Sequence, residues 1–211
     1  MSKLIAKKKI EGQGVLYEGD YKTGVTVRVD KVRISHPHVG KPWAKNANEV
    51  KKFSAVGILN KETHAEIIDL IKRVQDKMIS ENDIRVKPIN RAMKDGDGDS
   101  NDKPEYEGAW YLSAREENQP TAKSAMGGKL VNLTPEQAER EIYGGCYGSI
   151  LVRFWPQDND WGQRINAGLV GVVKTGDGES FGNSRIDDSD AYGDLGDDEG
   201  GFDDLDDDDD L

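Results

Sequence analysis

VTVRVDKVRI, residues 25–34, is the clearest structural signal in this chain. Valines at positions 25, 27 and 29 alternate with polar residues at 26, 28 and 30, a period of two that is typical of a strand with one buried face. Val32 and Ile34 fall on the opposite face, which predicts a β-bulge near Asp30–Lys31. The segment therefore predicts a half-buried strand of a sheet whose other face meets solvent.

Four further segments have the length and composition of strands: Lys51–Leu59, Trp110–Arg115, Ser149–Pro156 and Arg164–Val173. The alternation assigns Trp110 and Phe154 to the core. Two short helices are predicted between the strands. We expect one to begin at a capping box, Thr63–Glu66, and a second at Thr134–Gln137, with proline at its first position. The first has an apolar stripe at helical spacing, formed by Ile67, Ile71, Val74 and Met78.

Five strands, two short helices and long loops predict a mainly β fold, and a five-stranded OB-fold barrel is the natural candidate. An open α+β sandwich is the alternative, and the strand count does not separate the two. The length of 211 residues suits one domain, which we place at residues 1–185. Residues 186–211 are predicted to be a disordered acidic tail.

The charge supports this division. The chain has 29 basic and 40 acidic residues, a formal net charge of -11, but residues 187–211 hold fourteen acids and no base. The remaining chain therefore has 29 bases against 26 acids, or +3, and residues 1–94 alone carry +9. Such a body can bind a polyanion, and a tail of this composition cannot bury enough apolar surface to fold.

Several classes of protein find no support in the sequence. Cys146 is the only cysteine, so no intrachain disulfide can form, and we interpret it as a small residue at a strand entrance. No apolar run has the length of a membrane span or a signal peptide, which predicts a soluble protein of the cytoplasm. No nucleophile motif or cofactor motif occurs. The sequence predicts a binding protein without cofactor, not an enzyme.

Metal binding is also weakly supported. Asp95, Asp97 and Asp99 resemble a calcium loop, but the required glycine and glutamate positions hold Ser100 and Tyr106. The histidines at 36, 38 and 64 have no accompanying cluster of ligands. A solvated loop is the preferred interpretation of the aspartates, and a metal-dependent nuclease that uses them is a rival hypothesis.

The informative pattern is a mixture of cations and rings on the solvent faces of the strands and in the loop that contains Trp43. Cations can contact phosphates, and rings can stack on unpaired bases. The alternative is that such a face carries polar residues for solubility, with Trp155 filling a gap beneath a loop. The candidate nucleic-acid-binding residues are Arg28, Arg33, Trp43, Lys52, Tyr111, Arg115, Arg153, Trp155 and Arg164.

Three stretches carry a resemblance to a known family: Pro104–Arg115 (PEYEGAWYLSAR), Asn166–Leu169 (NAGL) and Gly176–Gly182 (GDGESFG). In this order and before an acidic tail, they resemble the phage-encoded single-stranded DNA-binding proteins with an OB fold. The resemblance implies a protein that coats single-stranded DNA in phage replication or recombination inside the bacterial host.

The resemblance also implies a role for the tail, which would recruit replication proteins such as a polymerase or helicase. Related tails often end in phenylalanine, whereas this chain ends in Leu211. The candidate partner-binding residues of the tail are Phe202, Leu205, Asp206, Asp207, Asp208, Asp209, Asp210 and Leu211. From its charge we expect the tail to compete with DNA for the body. An acidic DNA mimic or a chaperone-type interaction protein is the alternative function, and a homodimer is left open.

Overall fold

The computed structural model describes residues 3–98 and 103–181, so the predicted tail and Asp99 lie outside the described residues. The described part contains ten strands: β1 (Ala6–Ile10), β2 (Gly14–Tyr17), β3 (Val25–Trp43), β4 (Lys52–Asn60), β5 (Met93–Asp95), β6 (Ala109–Glu116), β7 (Thr121–Ser124), β8 (Val131–Asn132), β9 (Tyr147–Asn159) and β10 (Gly162–Gly176). It also contains helices α1 (Ala65–Glu81) and α2 (Pro135–Glu141), and three short 3₁₀ turns, Pro88–Asn90, Pro104–Tyr106 and Met126–Gly128.

The prediction of a mainly β fold with two helices is confirmed, but five strands was too low a count. The five predicted strands correspond to β3, β4, β6, β9 and β10. The sheet runs in the order β5-β6-β4-β3-β9-β10-β7-β8, with β2 paired to β3 and β1 to β2. It is not closed by hydrogen bonds within the described residues, although β10 packs against β6.

Strand β3 is the longest element and pairs with β2, β4 and β9. Its register with β9 shifts between Val29 and Val32, and Lys31 has a φ of 57°, which confirms the predicted bulge. The strand continues to Trp43, so Trp43 ends β3 and does not lie in a loop. A second irregularity, with a φ of 46° at His36, lets the long strand bend past the proline that follows.

The core lies between the inner sheet face and α1. Val25, Val27 and Val29 are paired with residues of β9 on that face, and Phe154 is fully buried there. The predicted stripe of α1 is buried against them, and each such side chain contributes roughly 1.5–3 kcal/mol by leaving water. Trp110, predicted for the core, packs against it but is only partly buried.

The start of α1 differs from the prediction. The N-cap is His64, without a side-chain cap, because Asn60 Oδ1 accepts hydrogen bonds from the backbone N–H groups of Glu62 and Thr63, both at 3.0 Å. Asparagine commonly forms such local turns, which here replace the predicted capping box. The start of α2 at Thr134 is confirmed, with Pro135 as its first residue. Neither described helix is long and apolar enough to cross a membrane.

Candidate functional site

Strand register places side chains from five strands in one row on the outer face of the sheet. Tyr147 of β9 pairs with Arg33 of β3, and Arg33 pairs with Ile58 of β4. Ile58 pairs with Tyr111 of β6, which pairs with Lys94 of β5. Directly opposed residues of antiparallel strands point to the same side, so the row carries two rings and two cations on one surface.

Two tyrosines are stacked within this surface. The rings of Tyr106 and Tyr111 lie 4.5 Å apart at 17°, and the Tyr106 hydroxyl lies 3.3 Å from Ser35 Oγ. Burial raises the pKa of both phenols. The Tyr106 ring thus covers one side of Tyr111, and Lys94 Nζ lies 6.0 Å from the centre of the Tyr111 ring, which is partly exposed. The sequence analysis missed Tyr106 because it follows a polar loop and belongs to no predicted strand.

The charges of Arg115 and Arg164 both act on Lys94, and we call these three cations the edge cluster: Lys94, Arg115 and Arg164. The pKa of Lys94 is lowered, first by burial and then by the positive charges of Arg115 and Arg164. No ion pair joins any of the three to a carboxylate of residues 3–98 or 103–181. The cluster is therefore a repulsive arrangement that a bound anion would relieve.

The start of β10 is fixed against the segment between α1 and β5. Gln163 Oε1 accepts a hydrogen bond of 2.8 Å from the N–H of Arg85, and its carbonyl accepts one of 3.4 Å from Asn90 Nδ2. These bonds hold the start of β10, which contains Arg164, against the segment that leads into β5. Of the predicted residues, the structure brings together Tyr111, Arg115 and Arg164. Lys94 was missed because nothing in the short segment around it predicts a strand.

Arg33 lies on the same face but its guanidinium is engaged within the protein. It donates hydrogen bonds of 2.9 Å to the Gly145 carbonyl and 2.6 Å to the Glu179 carbonyl. Its charged group also lies 5.2 Å from the centre of the Tyr147 ring and 4.4 Å from that of Phe181. Arg33 thus holds the segment that follows β10 against the sheet, which is a structural role that the sequence did not indicate.

A second surface lies on the outer face of β3 and β9 and contains Arg28, Arg153 and Trp155. Arg28 pairs with Asp30 through two contacts of 2.8 Å, and this bond raises the pKa of Arg28. Arg153 is exposed but donates a hydrogen bond of 2.9 Å to the Thr23 carbonyl. Trp155 is 37% exposed, opposite Asn166 of β10. A shallow groove of about 160 Å³ runs past Arg28.

The remaining candidates lie at the far end of β3 and β4. Lys52 forms an ion pair of 3.1 Å with Glu117. Trp43 is 52% exposed and stacks on His38 with ring centres 5.1 Å apart. Trp161, at the turn between β9 and β10, is 85% exposed and was not among the predicted residues. Its only sequence signal is an aromatic residue in the segment between two predicted strands.

The aspartates of the polar loop are engaged by a lysine. Lys61 Nζ lies 2.6 Å from both Asp95 Oδ1 and Asp97 Oδ2, and Asp97 Oδ1 accepts a hydrogen bond from the Gly108 N–H. Within the described ranges, no group of three or more His, Cys, Asp or Glu side chains is placed to hold a metal ion. Cys146 is buried, and burial raises the pKa of its thiol.

Comparison with known proteins adds to this geometry. A family model described as the ssDNA-binding protein of Enterobacter phage Enc34 matches residues 25–205. The structure is similar to a C-terminal truncation of the single-stranded DNA-binding protein from bacteriophage Enc34, with 37% identity, a TM-score of 0.76, and coverage of 86% of this chain and 99% of that one.

Two further relatives agree. The bacteriophage Enc34 protein in complex with ssDNA is 37% identical, with a TM-score of 0.75 and coverage of 86% of this chain and 100% of that one. A putative protein, p50, of Acyrthosiphon pisum secondary endosymbiont phage 1 is 26% identical over 181 residues, or 80% of this chain and 93% of that protein.

Proposed function

Because this chain belongs to the family of the phage Enc34 single-stranded DNA-binding protein, we propose that it is itself a phage protein that binds single-stranded DNA. A solved relative with 37% identity is a complex with ssDNA. In this proposal the chain is a binding protein and not an enzyme. It coats unpaired DNA during replication or recombination in the cytoplasm of the bacterial host.

The observation that carries the proposal is the edge cluster beside the stacked tyrosines. Three cations without carboxylate partners among the described residues form this cluster, and one of them, Lys94, pairs across the strands with Tyr111, whose ring stacks on that of Tyr106. Phosphates of a single strand would neutralise the cations, and a base would stack on Tyr111 for roughly 1–3 kcal/mol. Both contacts use groups common to every nucleotide, so we expect little sequence preference.

The second surface extends this interface in our proposal. Arg153 and Trp155 supply a further cation and ring on the outer face, and Lys52 and Trp43 supply another pair at the end of β3 and β4. Arg153 and Lys52 already have partners within the protein. We therefore expect them to bind phosphate more weakly than the edge cluster does. A strand that runs between these sites would contact more than one of them.

We also propose that the acidic tail, residues 186–211, competes with DNA. It carries fourteen acids and no base, which makes it a polyanion on the same chain as the edge cluster. Tethering raises its local concentration at that surface, so it can occupy the cations in the absence of DNA. Bound DNA displaces the tail, whose apolar residues Phe202, Leu205 and Leu211 are then free to bind a replication protein.

Tryptophan fluorescence titrated with oligothymidylate of several lengths tests the function. We expect saturable binding whose logarithmic affinity falls linearly with the logarithm of salt concentration, because bound phosphates release counterions. No binding of the full-length chain at about 50 mM salt would overturn the proposed function.

Replacement of Asp206–Asp210 by asparagine tests the tail in the intact chain. It should tighten binding, most strongly at low salt, and unchanged affinity there would contradict competition.

A further inference from the structure

We propose that a cavity between α1 and the β5 edge of the sheet binds a single nucleobase of the DNA strand. This inference rests on the proposed function and adds a base-binding site apart from the Tyr111 ring. The cavity has a volume of about 440 Å³. Small-molecule sites span about 300–1,000 Å³, so one base fits within it.

The walls of the cavity are largely apolar, with one flat aromatic side. Trp110 of β6 forms that side, while Met93, Pro88 and Ile89 form the others. Ile89 is 53% exposed at the rim although it belongs to this apolar wall. Lys72 lies over the Trp110 ring, with its Nζ 4.1 Å from the ring centre. A base is a flat and mostly apolar group with polar edges, which suits an indole wall, and it would displace Lys72 from the ring when it stacks there.

Two buried polar atoms in the lining have no partner among the described residues. Gln75 is 1% exposed, and its Oε1 accepts no hydrogen bond. Arg91 Nε is also buried and unpaired, although Arg91 Nη1 pairs with Asp76 at 2.8 Å. Each unsatisfied buried group costs about 1–3 kcal/mol. Both atoms are shielded from solvent, so a base in the cavity would satisfy them only after the Gln75 or Arg91 side chain turns towards it.

The charge at the mouth of the cavity favours a nucleotide over a neutral ligand. Asp76 is engaged by Arg91 and Asp95 by Lys61, so the carboxylates of the lining are already paired. Lys72 and Lys94 remain as cations there. Lys94 also belongs to the edge cluster, and its side chain lies on the opposite face of the sheet from Trp110, so a strand bound at that cluster would reach the cavity around β5, which is the edge strand. A base that turns inward at this point reaches Trp110.

Methyl NMR on the full-length protein can detect a base in the cavity. Among the four methionines, Met93 lines the cavity, whereas Met78 is buried elsewhere and Met126 is exposed. We expect oligothymidylate to shift the Met93 methyl signal strongly and the Met78 signal little. Ile89→Trp, which fills the cavity from its exposed rim, should abolish the Met93 shift and weaken binding about tenfold, as expected for one lost base contact.

A matched control introduces a tryptophan at an exposed position outside the cavity. Val50 is 66% exposed, and Val50→Trp should leave both the Met93 shift and the affinity unchanged. Gln75→Leu removes the unpaired acceptor and should weaken binding without loss of folding. Normal affinity of both Ile89→Trp and Gln75→Leu would overturn the base site while leaving the proposed function intact. Failure of the wild type to bind any oligonucleotide would instead refute the function.

The same spectra identify another occupant. If Asp206–Asp210 replaced by asparagine shifted the Met93 signal in the absence of DNA, the cavity would be occupied by the tail and not by a base. That result would also overturn the inference. An unchanged DNA-free spectrum of this variant, with a DNA-induced shift in both proteins, is the result that supports it.

Discussion

Arg33 and Arg115 lie on the same outer face of one sheet, but their surroundings are opposite. Arg33 donates two hydrogen bonds to the Gly145 and Glu179 carbonyls and lies between two rings. Arg115 acts together with Arg164 on the charge of Lys94, and it has no carboxylate partner in the part of the chain that the structure describes. The first arginine holds the protein together, and the second is available to a ligand.

This difference shows how the fold divides its cations between stability and binding. A guanidinium with satisfied donors must break those bonds before it can contact a phosphate. A cation in the edge cluster loses only repulsion when a phosphate arrives. The number of cations on a surface is therefore a poor measure of its affinity for DNA, and their internal partners are a better one.

Charge reversal in the edge cluster should have the largest effect. For Arg115→Glu combined with Arg164→Glu, we expect affinity for oligothymidylate to fall by at least about 100-fold at low salt, because two phosphate contacts become repulsive. The double glutamine variant should reduce the salt slope by about 1.4, or about 0.7 for each lost phosphate contact. Fluorescence titrations at several salt concentrations measure both quantities.

The control is Arg140→Glu on α2, an exposed arginine that is 3.6 Å from Glu141 and not part of the cluster. It should change affinity little. The control changes the net charge by -2 and the double variant by -4, so a control loss half as large in logarithmic affinity would mean that net charge, and not the edge cluster, determines binding.

Matched replacement of the two arginines tests the comparison directly. Arg33→Met should lower the free energy of unfolding by about 2 kcal/mol, because two hydrogen bonds from a charged donor are lost. Arg115→Met should change it by no more than about 0.5 kcal/mol, as is usual at surface positions without internal partners. Urea denaturation measures this difference.

DNA binding should follow the reverse order in the same two variants. Folded Arg33→Met should bind oligothymidylate almost as the wild type does, whereas Arg115→Met should bind several-fold more weakly. If Arg33→Met lost affinity without losing stability, the assignment of Arg33 to a structural role would be wrong.

The sequence predicted the strands in which apolar and polar residues alternate clearly. It missed the strands in which this alternation is weak or absent. The alternation in residues 25–34 predicted both the strand and its bulge, since buried valines on a period of two have one interpretation. Strand β1 has the sequence AKKKI, and β8 has only two residues, so neither carries such a period. They form because neighbouring strands offer free hydrogen-bonding edges, which is a tertiary effect.

The sequence predicted the residue types of the candidate site and the sheet face on which they lie. It did not predict which groups of the protein each side chain contacts. Alternation placed Tyr111 and Arg115 on one solvent face correctly. It could not show that Arg33 reaches a carbonyl 112 positions along the chain, or that the start of β10 is bonded to the segment between α1 and β5. Both contacts depend on strand order and register. Local sequence patterns do not determine either of these.

The second surface is intermediate between the engaged Arg33 and the unpaired Arg115, because it combines an exposed ring with an arginine that already has a partner. Trp155→Ala should weaken DNA binding up to about tenfold, the value of one stacked base, if that surface contacts DNA. Arg153→Ala should weaken it less, because Arg153 already donates to the Thr23 carbonyl. Both variants should remain folded, as judged by circular dichroism.

The control for Trp155→Ala is the removal of another exposed indole ring, Trp161→Ala. Trp161 is more exposed than Trp155, but it lies at a turn next to Asp158 and Asp160, which repel phosphates. We expect no change in affinity for this variant. Full affinity of Trp155→Ala and Arg153→Ala would restrict the interface to the edge cluster and the stacked tyrosines.

The smallest expected effect is a shift in the titration of Lys94. Burial and the charges of Arg115 and Arg164 lower its pKa in the folded protein below the ordinary lysine value. The unfolded chain therefore holds this proton more tightly. The contribution of Lys94 to stability then rises as the pH increases from its folded pKa towards the unfolded one. Removing Arg115 takes away one of these causes, so Arg115→Gln should raise the pKa of Lys94.

Bound DNA should act in the same direction, since phosphates favour the charged amine. NMR titration of the ¹³Cε signal of Lys94 measures the pKa in the free protein, in Arg115→Gln and in the complex with oligothymidylate. Arg140→Gln should leave it unchanged. A Lys94 pKa that rises in Arg115→Gln but not with DNA would confirm the repulsion within the cluster and place the phosphates elsewhere, which would leave the second surface as the main interface.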